Sequence, residues 1–174
     1  LHEDIGGKTV SLDPRNVLQR DIHITDTTFR DGQQARPPYT VEQIGKIFGF
    51  LARLDGASGL IRQSEFFLYT RKDREAVDLC RNLGFSYPQI TGWIRAEAGD
   101  LRLVKEMDLP ESGLLTSCSD YHIFHKMRLD RRKALDRYLA VVQEALAAGI
   151  RPRCHLEDVT RADIDGFVLP FVRE

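Results

Sequence analysis

Apolar residues recur along this chain in two alternating rhythms. The run Asp21-Ile-His-Ile-Thr-Asp-Thr-Thr-Phe29 is rich in β-branched residues and predicts a strand over about 22–29. Thr40 then opens a helix, with Gln43 three residues on as its capping-box partner. Val41, Ile44, Ile47, Phe48, Leu51 and Leu54 keep helical spacing, and Gly56 suits the exit. Further strands are predicted near 60–67, 89–95, 113–119 and 151–156. The helices between them carry Ala76, Val77, Cys80 and Leu83, then Leu101, Val104 and Met107. The clearest helix spans about 131–148, with Leu135, Leu139, Val142 and Leu146 as its core face and Gly149 ending it. Thr160 and Asp163 open a last helical pattern.

Strand alternating with helix means successive βα units around a parallel sheet. The spacing of the units is that of a barrel rather than a solenoid, because no sequence signature repeats with them. The fold expected is therefore α/β, a (β/α)8 barrel of which this chain holds about the first five βα units. A closed barrel needs roughly 200 residues or more, and 174 are present. Residues 1–174 are accordingly expected to be the N-terminal part of one catalytic barrel domain within a longer protein. Residues 1–20 are weakly periodic and read as an arm that plugs the barrel's bottom or packs on a partner.

Composition narrows the setting. The hydrophobic fraction is 42% and the net charge −1, ordinary for a soluble globular unit. Balanced charge argues against a nucleic-acid surface. No apolar run is long enough to span a bilayer, and the start lacks a signal-peptide pattern. Cys80, Cys118 and Cys154 show no paired metal spacing and read as buried free thiols in a reducing cytoplasm.

In a parallel barrel the C-terminal strand ends share one mouth, where chemistry sits. Those ends carry Arg30 and Asp31, then Glu65, Arg95, His122 and Glu157. Gly32 lets the chain turn sharply after the first pair. A carboxylate there can hold a hard divalent cation, and an adjacent guanidinium can stabilise an oxyanion. The alternative for Arg30 and Asp31 is an ion pair capping a strand. Glu65 reads as a site acid or a solvated strand end. Arg95 reads as a two-bond carboxylate clamp or a structural ion-pair member. His122 reads as a polar contact to substrate or a packed histidine, and His155 as a satisfied core histidine.

The string Asp26-Thr-Thr-Phe-Arg-Asp-Gly-Gln-Gln34 resembles the first-strand signature of the metal-dependent TIM barrels that make or break carbon–carbon bonds beside a thioester. That superfamily includes isopropylmalate synthase, homocitrate synthase and hydroxymethylglutaryl-CoA lyase. Its usual form has Leu where Phe29 stands and Glu where Gln33 stands. Gly113-Leu-Leu-Thr-Ser-Cys-Ser-Asp-Tyr-His122 and His155-Leu-Glu-Asp-Val-Thr-Arg161 are similar to its fourth and fifth strands. Three stretches are similar to the branch of Re-face-specific citrate synthases: Asp31–Thr40, Ile61–Thr70 and Ile90–Arg95.

The resemblance implies an acyltransferase that condenses acetyl-CoA with a 2-oxo acid, oxaloacetate first, with isopropylmalate synthesis, homocitrate synthesis, a lyase or an inactive half-barrel as alternatives. It implies a divalent metal (Mn, Mg, Co or Zn) on Asp31, and catalytic roles for Arg30 and Glu65. Gln34, Arg95, His122 and Glu157 would bind substrate. Arg62 stands where many members have the second-strand Glu, which leaves the register of Glu65 open. A metal role for the pair His122 and His125 is set aside, since the family's His-x-His ligands lie on a later strand. That pair has no counterpart in these residues. The basic group Lys126, Arg128, Arg131, Arg132 and Lys133 reads as a solvated helix start or a contact for coenzyme A phosphates. A cytoplasmic homo-oligomer, with neither nucleic acid nor membrane as partner, completes the expectation.

Overall fold

The computed structural model describes residues 2–5, 8–11 and 22–174. Strands β1 (His2–Ile5) and β2 (Lys8–Ser11) form an antiparallel pair, His2 opposite Ser11. The rest of the arm expected over 1–20 lies outside the described residues. The main sheet holds β3 (Ile24–Asp26), β4 (Ile61–Phe67), β5 (Gln89–Arg95), β6 (Glu111–Ser117) and β7 (Arg151–Glu157) in chain order, every neighbouring pair parallel. It curls into a half-barrel, the first five βα units of the expected TIM barrel.

Local chemistry sets the element boundaries. Helix α1 (Val41–Asp55) starts at a complete capping box: Gln43 N–H donates to Thr40 Oγ1, and Thr40 N–H to Gln43 Oε1. Thr40 and Gln43 were the predicted pair. At the other end Gly56 takes a left-handed φ of 59°. The Asp55 carboxylate then accepts from Gly59 N–H (2.8 Å) and Ile61 N–H (2.7 Å), which ties the end of α1 to the start of β4. Helix α2 (Arg71–Asn82) has a second capping box from Thr70 and Asp73. Helices α3 (Ala98–Glu106) and α4 (Arg131–Ala147) follow, and a short α5 (Leu169–Arg173) lies near the end.

The first strand is shorter than the predicted 22–29. Asp26 stops it, because its carboxylate accepts from both the N–H and the Oγ1 of Thr28 and bends the backbone into a turn. Phe29 is thereby delivered into the core rather than along the sheet. It packs on Phe66 (ring centroids 4.8 Å apart) and Phe48 (6.5 Å). Burying such side chains stabilises the fold by about 1.5–3 kcal/mol each.

Two further expectations are corrected. The face of α4 that meets the sheet is Ala134, Tyr138, Val141 and Ala145. Leu135, Leu139 and Val142 flank it, and Leu146 is exposed. The small alanines let the helix approach the strands, and Tyr138 donates to the Ser117 carbonyl (2.9 Å). Cys80 and Cys118 are buried as expected, but Cys154 is exposed, since β7 is an edge of the described sheet. No helix among the described residues is long and apolar enough to cross a membrane.

Candidate active site

Side chains alternate across a strand. On β4 this sends Phe66 and Ser64 to the helix layer, and Glu65 to the inner face, where it is 1% exposed. Arg62 falls on the opposite face and meets His23 (2.8 Å). Glu65, not Arg62, is therefore the inward-facing group of this strand.

Beyond β3 the turn puts Arg30 across the mouth toward β4. Its Nε donates to Glu65 Oε2 (2.8 Å) and its Nη1 to Asp31 Oδ1 (2.9 Å). The guanidinium lies 3.7 Å from the ring centroid of Trp93 on β5, within cation–π range. Three constraints from three strand ends thus fix one cation. Its Nη2 makes no hydrogen bond to another described residue. Trp93 has room because residue 113 is glycine: a Cβ there would come 2.4 Å from Trp93 Cε3.

Glu65 is shared. Its Oε1 accepts from Arg153 Nη2 (2.8 Å), which reaches across from β7. Arg153 also contacts Glu111 on β6, and Arg151 Nε stands 2.8 Å from the same Glu111. Gln63 donates its amide to Glu111. His155 stands with this group, not in the core. Its ring meets Trp93 edge-on (4.2 Å), and Nε2 lies 3.9 Å from Glu65 Oε1. Burial lowers the His155 pKa below its ordinary value, and Arg153 and Arg30 push the same way against Glu65. The same Nε2 also faces Arg153 Nη1 at 3.3 Å. Arg153, Glu111, Trp93 and His155 were not among the predicted site residues. For Arg153 and His155 the signal is the polar run at period two, Arg151, Arg153, His155 and Glu157, along one face of β7.

His122 and Glu157 meet at the mouth in a second cluster. The Glu157 carboxylate accepts from Ser117 Oγ and Lys126 Nζ (3.2 Å), and His122 Nδ1 stands 3.3 Å away. Burial alone would raise this carboxyl. The hydrogen bonds from Ser117 and Lys126, with the charges of Lys126 and His122, outweigh it and hold Glu157 below the ordinary 4.5. A carboxyl with a depressed folded pKa contributes stability that is complete above the unfolded value and is lost as pH falls through the folded one. Thermal midpoints should therefore fall with acid below about pH 4.5, and Glu157→Gln should remove part of that slope. Melts of both proteins between about pH 3 and pH 6 check this; an unchanged slope would contradict it.

The other expected residues are placed as follows. Gln34 is exposed on the loop after β3, in a cleft of about 490 Å³ with Gln33, Phe67 and Lys72. Arg95 is gripped by Asp100 through two bonds (2.8 and 3.0 Å), and is not brought to Arg30. Tyr69 donates to the same Asp100. The basic group after β6 is largely neutralised: Arg131 pairs with Asp120 and Asp163, Arg132 with Asp136, and Lys133 with Asp130. Residues Tyr121–Lys126 form a π-helical turn, which turns His122 to Glu157 and sets the His125 ring at a tilt beside Tyr121 (5.5 Å). Gln33, standing where the related signature has Glu, donates to the Phe29 carbonyl (2.7 Å) and accepts from Tyr39 N–H (3.0 Å). A carboxylate could not make the first of these bonds.

Asp31 is half-exposed and offers one hard oxygen ligand group. Among the described residues no three His, Cys, Asp or Glu side chains are placed to hold a metal ion. Mg²⁺ takes six ligands and Zn²⁺ four, so Asp31 would supply one ligand and the described residues do not complete the shell.

Three comparisons bear on this arrangement. The HMGL-like family model matches residues 21–170. The citrate (Re)-synthase of Clostridium kluyveri is 58% identical over 157 residues, 90% of this chain and 35% of the relative. That of Syntrophus aciditrophicus is 60% identical over 154 residues, 88% of this chain and 24% of the relative. Among solved structures, an HMG-CoA lyase from Brucella melitensis superposes with a TM-score of 0.58 at 13% identity, covering 78% of this chain and 48% of that one. The last shares the fold. The chain spans about a third or less of the length of these two curated relatives.

Proposed function

The chain belongs to the HMGL-like family, and from that premise we propose that it forms the N-terminal part of a catalytic barrel that condenses acetyl-CoA with a 2-oxo acid, oxaloacetate first. The observation that carries this reading is the 58–60% identity to two citrate (Re)-synthases over about nine-tenths of the chain.

In the reaction a base takes a proton from the methyl carbon of acetyl-CoA. The enolate carbon bonds to the ketone carbon of the oxo acid, and the carbonyl electron pair moves to oxygen and is protonated. Water then cleaves the thioester, giving citrate and free CoA. Arg30 serves the developing oxyanion. Its Nε and Nη1 are already held by Glu65 and Asp31, so the Nη2 donors meet the charge without reorganisation. Glu65 acts through Arg30. Gln34, His122 and Glu157 lie at the mouth where the oxo acid would be gripped, and Arg95 contributes to the rim. Asp31 would supply one carboxylate ligand to a divalent cation whose other ligands the described residues do not provide, and such an ion would polarise the oxo-acid carbonyl. The protein works as a homo-oligomer in the cytoplasm in this reading.

The test is release of free CoA by the full natural polypeptide, assayed with a panel of oxo acids. Turnover with oxaloacetate is expected. Turnover with 2-oxoisovalerate or 2-oxoglutarate and none with oxaloacetate would move the enzyme to another synthase branch. Cleavage of hydroxymethylglutaryl-CoA would make it a lyase. The 174 residues alone should release no CoA and should self-associate. Among the described residues the sheet has open parallel edges at β3 and β7, and unpaired edges invite pairing.

A further inference from the structure

The inner face of the half-barrel carries two buried carboxylates and two guanidiniums in alternation: Arg30, Glu65, Arg153 and Glu111. Their charges sum to zero. Three of them reach the mouth directly or through one contact. Glu111 does not. It is the first residue of β6, at the end of the strand away from the mouth, and is 3% exposed. A buried carboxylate at such a position is costly unless it answers a cation. It stands against two cations, the part-buried Arg153 and the mostly exposed Arg151.

We infer that Glu111 is a positioning residue, which takes up the charge of Arg153 so that Glu65 stays committed to Arg30. This rests on the reading of Arg30 as the group that meets the oxyanion. The geometry makes the dependence specific. Glu65 has two oxygens, one on Arg30 and one on Arg153. Arg153 has two carboxylates, Glu65 and Glu111. With Glu111 uncharged, the whole charge of Arg153 falls on Glu65, in competition with Arg30. Arg30 then loosens against its other anchor, the face of Trp93. Gln63, which donates to Glu111, and Arg151, mostly exposed, complete the surroundings of Glu111.

The two readouts are independent. In the full natural polypeptide, well below its melting temperature, Glu111→Gln should lower kcat by about tenfold to a hundredfold, the scale of a displaced catalytic group. The KM for the oxo acid should stay level or fall, because the interior gains an unanswered positive charge that attracts an anionic substrate. Arg151→Gln should change neither. The second readout needs no substrate. Trp93 is the single tryptophan of the chain, so 5-fluorotryptophan gives it a ¹⁹F resonance that Trp93→Phe identifies. Glu111→Gln should move that resonance in the direction of Arg30→Lys, and the charge-balanced Glu111→Gln/Arg153→Gln protein should move it back. The double variant also covers the case in which the single one fails to fold. A resonance unmoved in Glu111→Gln overturns the inference, as does one still displaced in the double variant. So does a kcat loss no larger than the fraction of protein unfolded. If the wild-type polypeptide releases no CoA with any oxo acid, the proposed reaction fails, while the resonance still decides whether Glu111 sets Arg30.

Discussion

Arg30→Ala should lower kcat for CoA release by about 10²- to 10³-fold, the loss seen when one preorganised oxyanion donor is removed, while leaving a folded protein. The activity loss follows from how Arg30 is held. Its position is fixed from β4 by Glu65, from its own loop by Asp31 and from β5 by the face of Trp93. No other described cation is held between these strand ends in the same way. Arg153 stands on the far side of Glu65 and is committed to two carboxylates. Folding should survive because Glu65 keeps Arg153 as a partner, and Asp31 is half-exposed and can turn to water. Arg30→Lys should recover less than about tenfold of the loss. An ammonium carries the charge but cannot lie flat on an indole while donating along two fixed directions. Steady-state kinetics with a thermal melt of each variant separate the effects. Wild-type kcat in a folded Arg30→Ala protein would remove Arg30 from the chemistry.

The sequence announced the elements more fully than their contacts. Five strands and their intervening helices were legible, because apolar periodicity and turn residues act locally. Thr40 and Gln43 marked the start of α1 for the same reason. The face of α4 was misjudged by one position. Leucines look more like a core stripe than Ala134 and Ala145, yet the closest approach to a sheet goes to the small residues. The early end of β3 was hidden because it depends on which way the Asp26 carboxylate turns. Reading strand ends picked out Arg30, Asp31, Glu65, His122 and Glu157 as candidates, and the fold gathers them into two clusters. That reading passed over Arg153 and Glu111, which lie further down the strands. An inner barrel face is ordinarily filled by branched apolar side chains, so a buried charge ladder there is not the default expectation. Arg95 shows the converse. Its place at a strand end was legible, but its pairing with Asp100 depends on the first turn of α3 folding back over the rim.

Glu65 should be the residue of the site whose loss most damages the fold. Its carboxylate is 1% exposed and accepts from two guanidiniums, Arg30 and Arg153, whose side chains are themselves only 14% and 25% exposed. Removing one partner from a buried ion pair costs about 3–5 kcal/mol, because the remaining charge is left unanswered. A domain is stable by only about 5–15 kcal/mol in total, so Glu65→Ala should bring the protein close to unfolding at room temperature. Glu65→Gln keeps the shape and can still accept a hydrogen bond, but it too leaves the cations without a counter-charge on this side. The charge explanation and a packing explanation separate in the pairing of variants. Glu65→Gln combined with Arg153→Gln removes one charge of each sign, leaving Arg30 with Asp31 and Glu111 with Arg151, and should be more stable than Glu65→Gln alone. If packing were the main term, the second change would add its own loss instead. Chemical denaturation of the four proteins, wild type, each single variant and the double, measures the coupling directly. Additive losses would show that the inner face is held by shape and not by its alternating charges.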